Sequence, residues 1–332
     1  MYQELTRSRK TITIMSTVYQ LSEVDGLRID TLTDEESGIR IKVNRHGAEM
    51  VSLARCGADG NWEGFLYRDG DTTTPADGWK NHATVMGYFL HRLINERSIY
   101  RGKTIRGGTH SFVRLKDFAA PAVDTAGGSL TYSIGPGEIE PEEYPFKVGL
   151  DLTYALNGPE LVVTFEFHNL EPELSAHVSF GLHPGFAVAS LEEARVILPR
   201  GTYVRHMAPG NFLSGETVRI EHPGGPMPFD KAELPGSFLL ELAEVPEALF
   251  VVEDPAGGRR TEMDYHEAPY VTLWSGGHDF VCVEPCWGLP DHWQQRVFEE
   301  KEGIQEIPAG GTLKRDFGIR AGVLEQSKSL GV

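Results

Sequence analysis

Apolar residues recur at every second position along most of this chain, in short runs cut off by Gly, Pro, Asn and Asp. In "ELVVTFEFHN", Leu161, Val163, Phe165 and Phe167 share one parity, against Val162, Thr164, Glu166 and His168 on the other. In "KVGLDLTYAL", Val148, Leu150, Leu152 and Tyr154 oppose Asp151 and Thr153. Successive side chains of a strand point to opposite faces, so each run is a strand with one packed face and one wet or functional face. "GIRIKVNR", "AEMVSLA", "SLTYSI", "ARVILP", "SFLLEL", "ALFVVED", "YVTLWS", "DFVCVEP" and "TLKRDFGIR" read the same way. Many short strands punctuated by turns predict an all-β fold, a large antiparallel β-sandwich with few short helices. "GWKNHATVMGYFLHRL" fits neither period cleanly, and "LPDHWQQRVFEEKEG" predicts a short helix opening near Asp291 and stopping at Gly303. No repeat or linker divides the chain. The expected organisation is one domain over residues 18–332 behind a loose N-terminal extension over residues 1–17.

Charge narrows the partners. With 31 Lys+Arg against 48 Asp+Glu, the net charge of -17 repels phosphate backbones and anionic membranes, so neither nucleic acid nor a membrane is an expected partner. After Arg7, Arg9 and Lys10 comes "TITIMSTVYQ", too polar for a signal or a membrane span, and the expected location is cytoplasmic. Cys56, Cys282 and Cys286 offer no disulfide framework and read as free thiols. There is no HExxH, no zinc-type Cys/His spacing, no Walker loop, no GxGxxG and no GxSxG, so no metal or cofactor is expected. "DGDTTTPADG" lacks the EF-hand frame and reads as a surface loop.

Four segments place chemically versatile side chains at strand positions. In "SAHVSFGLHPGF", Ala176, Val178, Phe180 and Leu182 point one way and Ser175, His177, Ser179, Gly181 and His183 the other, with Pro184 and Gly185 expected to end the strand. Small residues beside two imidazoles leave space for a ligand; a satisfied strand-end histidine is the competing reading of His183. In "DFVCVEP", Phe280, Cys282 and Glu284 share a face, with Pro285 expected to stop the strand, and burial would raise the Glu284 pKa toward that of a general base; a salt-bridged edge glutamate is the alternative. In "IRGGTHSFVR", Gly107 and Gly108 turn the chain, and His110, Phe112 and Arg114 would alternate on a new strand. Arg92 in "MGYFLHRL" has a fork of donors suited to vicinal hydroxyls or a carboxylate, or to one of the many acids. Trp62, Trp79, Trp274 and Trp287 include candidates for a sugar-stacking platform.

In this order the segments resemble the aldose 1-epimerase (galactose mutarotase) family, particularly its shorter bacterial branch. "VNRHGAEMVSLA" is similar to its early strand pair, "VMGYFLHRL" to its arginine segment, "GGTHSFVR" to its T-H-G-F-x-R stretch, and "GLHPGF" to its H-P-Y-F segment. "FVCVEPCWGLPD" resembles its E-P-W-x-G-x-P-D segment, and "KEGIQEIPAGGTLKRDFGI" its closing turn and strand; the likeness runs over about residues 25–322. The resemblance implies a β-supersandwich that interconverts the α and β anomers of a free aldose, as a monomer or homodimer. It implies Glu284 as base, His183 as acid, His110 at the ring oxygen or C1 hydroxyl, and Arg92, His177 and Trp287 on the substrate. Three departures stand out: Ser111 for a glycine, Gly185 for an aromatic residue, and Cys286 inserted before Trp287. Asp264 and Asp254 are the candidates for a substrate-binding aspartate. A hexose-phosphate epimerase, with Arg97, Arg101, Lys103 and Arg106 as its phosphate site, and a non-catalytic sugar sensor are the alternatives.

Overall fold

A computed structural model of the chain describes residues 17–227, 231–294 and 297–324. The expected extension over residues 1–17 lies outside these except for Thr17, which opens the first strand, Thr17–Val24. Among the described residues the strands form a five-stranded, a nine-stranded and an eight-stranded sheet plus a two-stranded hairpin, all paired antiparallel.

The alternation explains the packing. The hairpin Val148–Asn157 and Glu160–Asn169 pairs in register from Val148↔Asn169 to Asn157↔Glu160, and its apolar parity is buried throughout. Facing it, Ala176, Val178, Phe180 and Leu182 of the strand Ala176–Ala187 enter the same core. Phe180 stacks on Trp287 with ring centroids 5.0 Å apart and packs on Phe165 and Phe167. The sandwich core thus lies between the nine- and eight-stranded sheets, and the opposite face of the eight-stranded sheet is left for other work.

Two sequence expectations fail here, and one ambiguous segment is resolved. The strand Ala176–Ala187 runs straight through His183, Pro184 and Gly185, and Phe280–Trp287 runs through Pro285; neither proline ends its strand. The ambiguous segment around residues 78–93 contributes the strand Ala83–Tyr88, buried on both faces, which is why it shows no alternation. The helix expected from Asp291 to Gly303 is absent among the described residues, where a single 3₁₀ turn spans Phe298–Glu300. Asp291 and Lys301 instead meet in a buried ion pair, Nζ to Oδ1 2.9 Å, whereas ten residues of helix would hold them about 15 Å apart.

Candidate active site

The site grows from one register. The strands Ala176–Ala187 and Phe280–Trp287 pair at Gly181↔Cys286 and again at Gly185↔Cys282, which sets His183 directly opposite Glu284. Between those points the ladder is interrupted, and there lie Pro184 and Pro285, neither of which has an N–H to donate. On the flanking strands Thr84 lies opposite His183 and Thr272 opposite Glu284. The two catalytic candidates therefore sit in the middle of a four-strand platform, on the face turned away from the core.

His183 Nε2 lies 3.4 Å from Glu284 Oε1, and both side chains are buried. Around them a cavity of about 280 Å³ is lined by Trp79, His91, Arg92, His110, Arg114 and Trp274, with Asn81, Thr109 and Asn211 adding polar groups. His110 does not sit on a strand: it and Ser111 occupy a left-handed turn, φ 63° and 64°, followed by a 3₁₀ turn over Val113–Leu115. That conformation is where a glycine is least strained, so Ser111 stands at a position that favours one. The turn is pinned to its neighbour, because His110 N–H donates to the His91 carbonyl at 2.7 Å. The rings of His91 and His110 lie 5.6 Å apart, and those of His110 and His183 5.3 Å apart and perpendicular.

Several polar atoms at or beside this cavity lack partners within the protein. Glu284 Oε2, His183 Nδ1, His110 Nδ1, His91 Nε2 and Ser111 Oγ are all buried and without a hydrogen bond. Buried polar atoms are normally satisfied, so this cluster is suited to receive the polar groups of a ligand or of water. Burial pushes the Glu284 carboxyl well above its ordinary range and pulls His183 down to about 3, helped by the charge of His91. Burial thus opposes the ionic form of each partner, so their titrations are coupled, and two coupled groups in contact are what acid/base chemistry needs. Cys282 is next to them: its sulfur, the imidazole and the carboxylate have ligand atoms within 4.8 Å of one another.

Burial also lowers His91 to about 3 and His110 well below 6.5. For all three imidazoles the unfolded chain binds more protons below pH 6.5, so their contribution to stability is lost as pH falls from 6.5 toward 3. For His183 alone the slope is at most about 1.4 kcal/mol per pH unit. Glu284 acts in the opposite sense above pH 4.5, one carboxyl against three imidazoles. Thermal unfolding from pH 7 to pH 4 is expected to show a falling Tm, less steep in His183→Asn; a Tm independent of pH would contradict the buried, neutral imidazoles.

Other candidates are placed elsewhere. His177 is on the same strand face as His183 but six residues away, about 20 Å along a strand. It pairs with Tyr100 Oη at 3.0 Å and does not line the cavity. Trp287 is in the sandwich core, its Nε1–H donating to the Glu267 carbonyl at 3.1 Å. Neither is positioned to bind substrate in this cavity. Asp254 is buried under the Ala189 and Gly257 amides and Arg259, and Asp264 faces His266; both lie off the cavity. Cys286 contacts Thr272 Oγ1 at 3.6 Å in a small apolar cluster. Arg101 is engaged by Ser175, Lys103 by the Pro145 carbonyl and Arg106 by Glu142, and this hairpin does not line the cavity. Sequence reasoning did not single out His91 or Asn81, which line it; the only signal for His91 is its place beside Arg92.

The aldose 1-epimerase family profile matches residues 30–306, most of the chain. The chain belongs to the aldose 1-epimerase family. Among curated proteins, this family member is 23% identical over 259 residues to the chromosomal protein LacX of Lactococcus lactis subsp. lactis, covering 73% of this chain and 85% of LacX. Among solved structures it resembles a galactose mutarotase related enzyme from Lactobacillus acidophilus, with TM-score 0.77 and 22% identity over 92% of this chain and 98% of that one. A galactose mutarotase-like protein from Lactobacillus casei ATCC 334 gives TM-score 0.74 and 20% identity, over 92% of this chain and all of that one (100%). These likenesses establish the mutarotase-like β-sandwich of this family member.

Proposed function

We propose that the protein is an aldose 1-epimerase acting on a free monosaccharide. The observation that carries the reading is the buried His183–Glu284 pair, 3.4 Å apart on the floor of a cavity near the small end of ligand sites, about 300 Å³. With Glu284 ionised and His183 protonated, the carboxylate takes the proton of the anomeric hydroxyl while the imidazolium protonates the ring oxygen. The C1–O5 bond breaks, leaving an open-chain aldehyde; rotation about C1–C2 and the reverse transfers close the other anomer. The net proton count is unchanged and the pair is restored, with no redox step. His110 and His91 would hydrogen-bond the hydroxyls near C1, and Arg92 those at the cavity mouth.

A ligand whose hydroxyls fill the orphaned positions also favours the charged form of the pair over the neutral one, so substrate binding itself charges the acid and base. Buried acid/base groups serve no purpose in a sensor, which supports an enzyme. Arg92 and Arg114 at the cavity favour one second reading, an aldose with an anionic substituent, although the basic hairpin proposed for phosphate from sequence lies off the site.

Anomerisation of freshly dissolved sugars, followed by NMR or polarimetry, tests both readings. Acceleration of glucose, galactose or a pentose supports the first, and acceleration confined to glucose 6-phosphate the second. Binding without turnover of any sugar would overturn the enzyme assignment. Among the described residues no helix is long and apolar enough to cross a membrane.

A further inference from the structure

A catalytic imidazole is usually held in its plane by a hydrogen bond at the nitrogen that does not do the chemistry. In His183, Nε2 faces Glu284, and Nδ1 is buried with no hydrogen bond to any other described residue. Aromatic contacts hold the ring instead. Trp79 stacks on it with centroids 4.8 Å apart and planes at 29°, and Trp274 meets it edge-on at 5.3 Å. Trp79 also stacks on Phe280 at 5.2 Å and lines the cavity.

The indole can lie there because residue 185 has no side chain. A Cβ on Gly185 would fall 2.6 Å from Trp79 Cζ3, 3.3 Å from Cε3 and 3.2 Å from Phe280 Cδ2. Gly185 is not in the left-handed region, so its backbone conformation does not itself call for glycine; the approach of the indole does. The Gly185 backbone is held in place, so a side chain there would have to push the indole aside. Gly185 N–H donates to the His82 carbonyl at 2.8 Å, and its own carbonyl accepts from Tyr67 N–H at 2.7 Å. On the loop side, Gly78 at φ +87° approaches so closely that a Cβ there would meet His278 Nε2 at 2.9 Å. His82 N–H donates to Glu49 Oε1 at 2.7 Å.

We propose that Trp79 is the positioning residue of this site: seated on the bare Cα of Gly185, its indole fixes the plane of the His183 imidazole and walls the cavity beside the sugar. This rests on the reading of the protein as an aldose 1-epimerase. It makes Gly185, one residue beyond the imidazole's proline, a seat for an aromatic ring supplied from a distant loop.

The test is a double-mutant cycle read by anomerisation kinetics. Trp79→Ala frees the imidazole, and Gly185→Ala displaces the indole; each is expected to lower kcat/KM by about 10- to 100-fold, since small misplacements of a reacting group cost that much. Because both act on one contact, Gly185→Ala should have little further effect in the Trp79→Ala background. Trp79→Phe should restore most of the activity.

A pH profile adds a readout that a purely structural role would leave alone. His183 is faced by Glu284 and Cys282 from the neighbouring strand, by Thr84 from the other, and by His110 and His91 from the turns, with Arg92 and Arg114 at the cavity. Loss of the indole lets water reach the ring and eases its protonation. The acid limb of kcat then moves up toward pH 6.5, the ordinary histidine value, with the Tm held. Wild-type kinetics in Gly185→Ala, or single penalties that add in the double variant, would overturn the proposal. Glu284→Gln separates the two failures. If it is inactive while the Trp79 and Gly185 variants match wild type, only the positioning role is lost; if wild type itself does not accelerate the anomerisation of any sugar, the epimerase reading falls.

Discussion

Glu284→Gln is expected to bring anomerisation down to the rate of buffer alone while the protein stays folded. A glutamine has the volume of glutamate, and burial already holds Glu284 toward its neutral form, so the exchange strands no charge in the core. What it removes is the ability to accept the anomeric proton, a contribution of about 10²- to 10⁴-fold for a positioned general base. Thermal unfolding should be near that of wild type, and sugar binding, followed by tryptophan fluorescence, should persist. Equal anomerisation rates in the two proteins would mean that the base is another group. His183→Gln should also be impaired, and less completely if His110, 5.3 Å away by ring centroids, partly replaces the acid.

Asp291→Ala is expected to have the largest effect on stability. The Asp291 carboxylate and the Lys301 ammonium are both almost wholly buried, 2.9 Å apart, and Asp291 Oδ2 also accepts the Ile94 N–H at 3.0 Å. Removing the acid leaves an ammonium uncompensated in the interior, which costs about 3–5 kcal/mol. The effect reaches the site, because Asp291 N–H donates to the Arg92 carbonyl at 3.0 Å and Ile94 follows two residues later. Denaturant unfolding should show the lower midpoint, and saturation kinetics a raised KM as Arg92 loosens. In Asp291→Leu with Lys301→Met the midpoint should recover, since no buried charge remains, while the raised KM should not, since the Ile94 N–H still lacks its acceptor. A single Asp291→Ala protein as stable as wild type would contradict the buried pair.

Strand parity carried the sequence reading a long way. It separates Phe180 and Leu182 from His183, and Val281 and Val283 from Glu284, and the structure buries the first group in the core and leaves the second at the cavity. Carried one step further, the same count places Trp287 with Val283 on the core side, so its location is legible in the sequence. His177 shows the limit of parity: it shares the face of His183, but a face is longer than a site, and distance along the strand separates them. Proline and glycine misled for a local reason. Both usually end strands at an edge, whereas here Pro184 and Pro285 lie inside two central strands at the one interval where no ladder bond is needed between them.

By itself the sequence determined the all-β class, most of the strands, and which face each side chain takes, because a period of two is a property of the chain and needs no partner. The pairing of the strands, the turn that brings His110 and His91 to the cavity, the ion pair that replaced a helix, and the seating of Trp79 on Gly185 were decided only by the tertiary structure. Each depends on residues far apart in sequence: His183 meets Glu284 across strands, and Trp79 meets Gly185 from a loop. Contacts of that kind are set by register and packing, which no local pattern encodes.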